Sequence, residues 1–163
     1  MEYITYIGSR ESTECECEAV RFIGEFLVEL GYGVRSGLNP KGIDAVATKL
    51  STLDNHIAQL FIPSTPTFGY RHGDKNGAVM AVEYHSHYPK ALSLAADMHD
   101  RWSAVRPEYQ GLHARNMYCI LGPELDDPSL MVIYVAPRGD TRSGVTGGTA
   151  TGAHIARTAA PMF

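Results

Sequence analysis

The 163-residue chain has few cysteines, no long apolar run and no excess of positive charge, and each shortage narrows what it can be. Three cysteines cannot all pair internally. Cys15 and Cys17 stand two apart at a predicted helix start, and Cys119 falls in an apolar segment. That pattern fits free thiols in a reducing compartment and gives a metal site little support. No stretch approaches the roughly 20 apolar residues of a membrane-spanning helix, and no basic-then-apolar signal segment starts the sequence. A cytoplasmic location is therefore expected, with no membrane partner. Lys and Arg number 14 against 18 Asp and Glu, a formal charge of −4, so no overall bias draws the chain to nucleic acid or anionic lipid. Internal repeats and low-complexity tracts are also missing. What is there, 44% apolar and 20% charged residues, suits one globular domain over 1–163.

Both ends of the chain carry a strand–loop–helix pattern. Tyr3-Ile4-Thr5-Tyr6-Ile7 reads as a strand ending in Gly8-Ser9-Arg10. Thr13 with Glu16 forms a capping box, and Ala19, Val20, Phe22, Ile23, Phe26, Leu27 and Leu30 recur at helical spacing down to Gly31. This apolar stripe is expected to pack on a sheet. Near the other end, the apolar run Leu130 to Val135 leads into Arg142-Ser143-Gly144-Val145-Thr146-Gly147-Gly148-Thr149, followed by a predicted helix over Ala153 to Ala160. A strand, a glycine-rich turn and a helix start can hold phosphate. The glycines allow close backbone approach, and the first helical N–H groups and the helix dipole point at the anion.

Between the ends, Gly33 to Gly37 reads as a strand and Gly42 to Leu50 as a helix. Ile57 to Ile62 reads as a strand stopped by Pro63, and residues 64 to about 76 as a loop. Helices are predicted from Ala78 to about Tyr88, from Lys90 to about Val105 and from about Gly111 to Leu121. The alternation argues an α/β, Rossmann-like three-layer fold with a parallel sheet and a helical insertion near 64–110. Five strands are expected (3–7, 33–36, 57–62, 130–135 and 161–163) in the order 3-2-1-4-5. Ligands of such sheets bind beyond the carboxyl ends of the strands. Gly8 to Arg10, Ser36 to Asp44 and Arg142 to Thr149 all fall there, so three loops should converge on one crevice.

Tyr6-Ile7-Gly8-Ser9-Arg10, with Val34-Arg35-Ser36-Gly37-Leu38 and Gly42-Ile43-Asp44-Ala45, resembles the paired signature of the DNA processing protein A family. Arg142 to Ala156, followed by Pro161-Met162-Phe163, resembles that family's later glycine-rich loop and final strand. Leu112-His113-Ala114-Arg115-Asn116-Met117 is similar to the Met-His-x-Arg-Lys helix motif of the Lonely Guy phosphoribohydrolases, which share the fold. Small stand-alone members common in bacteriophage genomes look closest. The likeness covers about 1–63 and 99–163. It implies a nucleotide or nucleotide-derived signalling molecule as ligand, bound for sensing, sequestration or processing, with no separate cofactor. It also implies self-association, since many relatives form dimers.

The residues themselves suggest roles. Gly8 and Gly37 remove side chains where strands meet their turns, so a ligand can sit on the backbone. Ser9 and Thr149 can donate to a phosphate, Gly144, Gly147 and Gly148 shape its turn, and Arg10 adds a bidentate contact. Asp44 is placed to accept from ribose hydroxyls or, equally, to complement the helix dipole. Arg115 and Asn116 can clamp a phosphate or sugar. Histidines are numerous, but His85 and His87 on a helix would point about 200° apart, poor for chelation, so structural or surface roles are expected for them.

Cleaving an N-glycosidic bond needs a carboxylate near the anomeric carbon. The phosphoribohydrolases carry a glutamate just inside the helix after their glycine loop; that place here falls at about Ala153, so the matching carboxylate is missing while Arg115 is present. An alternative hydrolase would use Asp44 with Arg115 as catalytic pair, with Asp140 or Glu11 as other stand-ins. A further alternative, single-stranded DNA binding in recombination, needs a positive track that the scattered basic residues do not make, so only weak binding is expected.

Overall fold

A computed structural model describes residues 1–53 and 57–159. Five parallel strands form one sheet: β1 (Tyr3–Gly8), β2 (Gly33–Gly37), β3 (Ala58–Ile62), β4 (Val79–Ala81) and β5 (Met131–Val135), in the order β4-β3-β2-β1-β5. The helices are α1 (Glu14–Glu29), α2 (Gly42–Leu50), α3 (Tyr88–Met98), α4 (Pro107–Leu121) and α5 (Gly148–Ala159). The expected α/β architecture holds, and β1 lies inside the sheet between β2 and β5. The strand expected at 161–163 lies outside the described residues.

Alternation along β1 sorts the two layers. Ile4 and Tyr6 point to a cluster with Val20 of α1 and with Ile43, Val46, Ala47 and Leu50 of α2. Thr5 and Ile7 point the other way, where the Thr5 hydroxyl donates to the Cys119 carbonyl of α4 and Ile7 joins Ala114, Met117, Tyr118 and Ile155. The core is thus two apolar slabs with the sheet between them.

Local chemistry explains the ends of α1. The Thr13 hydroxyl accepts from the Glu16 N–H at 3.3 Å, and the Glu16 carboxylate accepts from the Thr13 N–H at 2.7 Å. At the far end Gly31, at φ +90°, donates to Val28 and Tyr32 donates to Leu27, closing the helix in a left-handed turn. Below the sheet, the fully buried Arg35 donates to the Gln59 side chain at 2.7 Å and the Asp127 carboxylate at 2.6 Å, tying β2 to the segment before β5.

Several expectations change. Residues 78–88 are not a helix: Val79–Ala81 pairs with β3 as a short edge strand, and Val82–Tyr84 is a single 3-10 turn. The helix expected over Lys90 to Val105 stops at Met98, and a separate 3-10 turn, Trp102–Ala104, follows it. The apolar stripe of α1 does not all face inward. Val20 and Gly24 are buried, Leu27 and Val28 pack beside them, and Phe22, Ile23, Phe26 and Leu30 face outward. The reason is Gly24, whose missing side chain leaves the space that Leu50 of α2 fills, so the contact face of α1 runs along its small residues.

Candidate functional site

The carboxyl ends of β1 and β2, the first turn of α2, the middle of α4 and the start of α5 enclose a lobe of about 450 Å³. At its floor Arg115 donates from Nη1 to Asp44 Oδ2 at 2.9 Å. Both side chains are more than nine-tenths buried, at 9% and 6% exposure. Burial works against the Arg115 charge, but the Asp44 carboxylate beside it more than offsets this and raises its pKa. Arg115 Nε is buried with no protein partner. A buried ion pair lining a cavity is an arrangement that an anionic or polyhydroxylated ligand can complete.

Gly37 makes the pair possible, in a way the sequence did not suggest. A Cβ there would fall on the Arg115 guanidinium, so the space is used by protein and not by ligand. Gly8 is similar: its Cβ would meet Ile43 and the Val135 carbonyl. Ser36 also serves the sheet, its buried hydroxyl donating to the Tyr6 carbonyl at 2.6 Å. Gly37 and Ser36 therefore do not line the lobe, whereas Gly8, Ser9, Arg10, Asp44, Arg115, Asn116, Gly147, Gly148 and Thr149 do.

The glycine turn forms the wall opposite Ser9. Residues 137–147 fold on themselves, with Thr146 N–H donating to the Pro137 carbonyl at 2.9 Å and the Thr141 hydroxyl to the Val145 carbonyl at 2.6 Å. Gly147 adopts φ +77° immediately before α5, and a Cβ at Gly147 or Gly148 would meet no atom within 4 Å. Gly144, also on this loop, lines neither lobe. Asn116, expected to clamp a ligand, donates to the Gly148 carbonyl at 2.9 Å and so anchors the turn to α4. The Ser9 hydroxyl accepts from the Glu11 N–H at 3.1 Å, which leaves its own hydrogen to donate into the lobe.

A second lobe, about 750 Å³, opens on the other side of the same turn. Thr146, Gly147, Gly148, Tyr109 and His113 line both. Sequence reading passed over this lobe because its histidines are far apart in the chain. His99 and His113 meet edge-to-face with centroids 4.8 Å apart, and Trp102 stands against both rings. His113 Nδ1 lies 2.9 Å from the Thr151 hydroxyl, and His154 Nδ1 lies 3.0 Å from the Met98 carbonyl. Burial, with His99 and Arg115 nearby, pushes the His113 pKa down to about 4, and burial also lowers that of His99. Over this lobe Arg142 is paired with Asp100 and donates to the Asp97 carbonyl at 3.1 Å, joining the glycine loop to the end of α3.

His85 and His87 lie elsewhere and not on a helix. Each reaches one oxygen of Glu124, at 3.5 and 3.3 Å. Among the described residues no group of three or more His, Cys, Asp or Glu side chains is arranged to hold a metal ion, and no helix is long and apolar enough to cross a membrane. Compared with protein-family models, curated proteins and solved structures, the chain matches none.

Proposed function

We propose that the protein binds a nucleotide or nucleotide-derived signalling molecule in this cleft, as an intracellular stand-alone member of the superfamily its motifs resemble. The observation that carries the reading is the buried Arg115–Asp44 pair lining a lobe that also reaches the open start of α5. The Gly148 and Thr149 N–H groups of α5 and the Arg10 side chain take the phosphate; Asp44 accepts from sugar hydroxyls. Calorimetric titration with nucleoside monophosphates and cyclic nucleotides tests this. At least one should bind, and Gly148→Val should weaken it at least tenfold; unchanged affinity in that variant removes the turn from the site.

A hydrolytic reading is favoured by one feature, the carboxylate of Asp44 held beside Arg115 in the same lobe. Chromatography of the same incubations separates the two readings. Binding without release of free base is expected, and multiple-turnover base release abolished by Asp44→Asn would establish the hydrolase. Single-stranded DNA should bind weakly and lose affinity steeply with salt, given the net charge of −4.

Self-association has its own structural support in α1. Phe22, Ile23, Phe26 and Leu30 are all exposed, an apolar patch that a second copy of the chain would cover. The patch runs along one helix face, so a second copy related by a two-fold axis presents the same residues to it. Phe26→Asp should shift a concentration-dependent dimer to monomer in sedimentation velocity, and a wild-type protein monomeric at every concentration would overturn the pairing.

A further inference from the structure

The proposed phosphate turn lies at a boundary, and a boundary with a cavity on either side raises the question of what the larger cavity is for. The lobe holding Arg115 and Asp44, at about 450 Å³, is within the usual size of a small-ligand site. It is also polar and charged at its floor. The lobe beyond the turn is larger, at about 750 Å³, and is richer in imidazole. Its walls bring three imidazoles, His99, His113 and His154, together with Tyr109, Val105 and Ala104, and charged side chains, Arg101, Arg106, Asp100 and Asp140, line it as well.

We propose that this second lobe seats the heterocycle of a ligand with a group on each side of its phosphates, so that the physiological ligand is a dinucleotide and not a mononucleotide. The inference rests on the reading of the glycine turn as the phosphate site. Three observations carry it beyond that reading. Thr146, Gly147 and Gly148 line both lobes, so an anion on the α5 N-terminus has open space to either side. A Cβ at Gly147 or Gly148 would meet no atom within 4 Å, so open space lies against the turn at both residues. The imidazoles are held in place by protein: His113 Nδ1 lies against the Thr151 hydroxyl, His154 Nδ1 against the Met98 carbonyl, and His99 meets His113 edge-to-face. Rings fixed in this way offer aromatic surface and nitrogen hydrogen-bonding edges to a planar base.

The sugar next to the first phosphate then lies over Asp44 and Arg115. The second nucleoside crosses the turn and stacks in the imidazole lobe. Tyr109, which lines both lobes and is half exposed, stands where the two halves of such a ligand join.

Calorimetry with matched probes tests the division: each of the four nucleoside 5′-monophosphates and its symmetrical dinucleoside diphosphate. For at least one base the dinucleotide should bind tenfold or more tightly than its monophosphate. Ala104→Trp, which adds bulk at an exposed position on the rim of the second lobe, should erase that gain and leave the monophosphate within twofold. His99→Ala should reduce the gain as well, and serves if the tryptophan variant does not fold. Equal affinity of the two probe classes overturns the inference, as does an Ala104→Trp protein that loses both probes equally, since the mononucleotide would then occupy the second lobe. Gly148→Val separates this failure from that of the broader reading. If it abolishes monophosphate binding while no dinucleotide gains, the phosphate site stands and the two-lobed ligand falls. If none of the eight probes binds, both fall.

Discussion

The two ends of the chain carry glycines in similar strand–loop–helix settings, and the structure uses them in opposite ways. Around β1, β2 and α2 the missing side chains are occupied by protein. Ile43 fills the place beside Gly8, the Arg115 guanidinium fills that beside Gly37, and the Ser9 carbonyl crowds Gly42, which itself sits at φ +66°. Around residues 144–148 the corresponding space is empty. A glycine whose Cβ would strike a neighbour is a packing residue; one whose Cβ would point into an open cleft is a candidate for ligand approach. The difference separates the half of the site that is built from the half that is left open.

The sharpest way to break this comparison is to put a side chain on one glycine in each half. Gly37→Ala displaces the Arg115 guanidinium from Asp44 and leaves both charges buried, so unfolding by denaturant should show a loss of about 3–5 kcal/mol. Gly148→Val, the variant that should lose nucleotide, should stay within about 1 kcal/mol of wild type in the same measurement, because its side chain meets no protein atom. Similar losses in the two variants would erase the distinction.

A smaller effect sharpens the contrast at the second lobe. The His113 pKa is lowered to about 4 in the folded protein, against a value near 6.5 for an unperturbed histidine. Between these values the unfolded chain takes up a proton that the folded chain does not, so stability must fall as pH drops through that window and is fully present above it. The loss attributable to this one side chain is up to about 3 kcal/mol at pH 4. Carboxylates contribute in the same range, so the measurement is the difference in pH slope between wild type and His113→Gln, which should be flatter.

Much of the fold was legible because its signals are local. The capping box at Thr13, the stop at Gly31, the start of α2 at Gly42 and the apolar runs of β3 and β5 all stand where the residues place them. β4 was not legible. Val79-Met80-Ala81 is too short to alternate and contains good helix formers, and what makes it a strand is its pairing with Leu60, Phe61 and Ile62. α4 begins at Pro107, at the first helical position, four residues before the start expected near Gly111. Periodicity also identified an apolar stripe on α1 without saying which of its residues would be covered; Leu50 decides that by packing against Gly24.

At the site, topology brought Ser9, Arg10, Asp44 and the glycine turn together as expected, and Arg115 and Asn116 joined them from α4. The direction of the glycines at 8 and 37 could not be read, because a glycine in sequence does not say whether its empty side is filled. Nor could the meeting of His99, His113 and His154, which depends on α3, α4 and α5 converging across the insertion.

The placement of the three thiols has a practical consequence. Cys119 sits between the sheet and α4, and burial pushes its thiol pKa up to about 12, whereas Cys15 is exposed and Cys17 half-buried on the first turns of α1. An alkylating dye added to the native protein will therefore mark α1 and spare Cys119. Capture of the third thiol then becomes an optical clock for how often the layer between β1 and α4 comes apart, and a ligand that crosses both lobes should slow it.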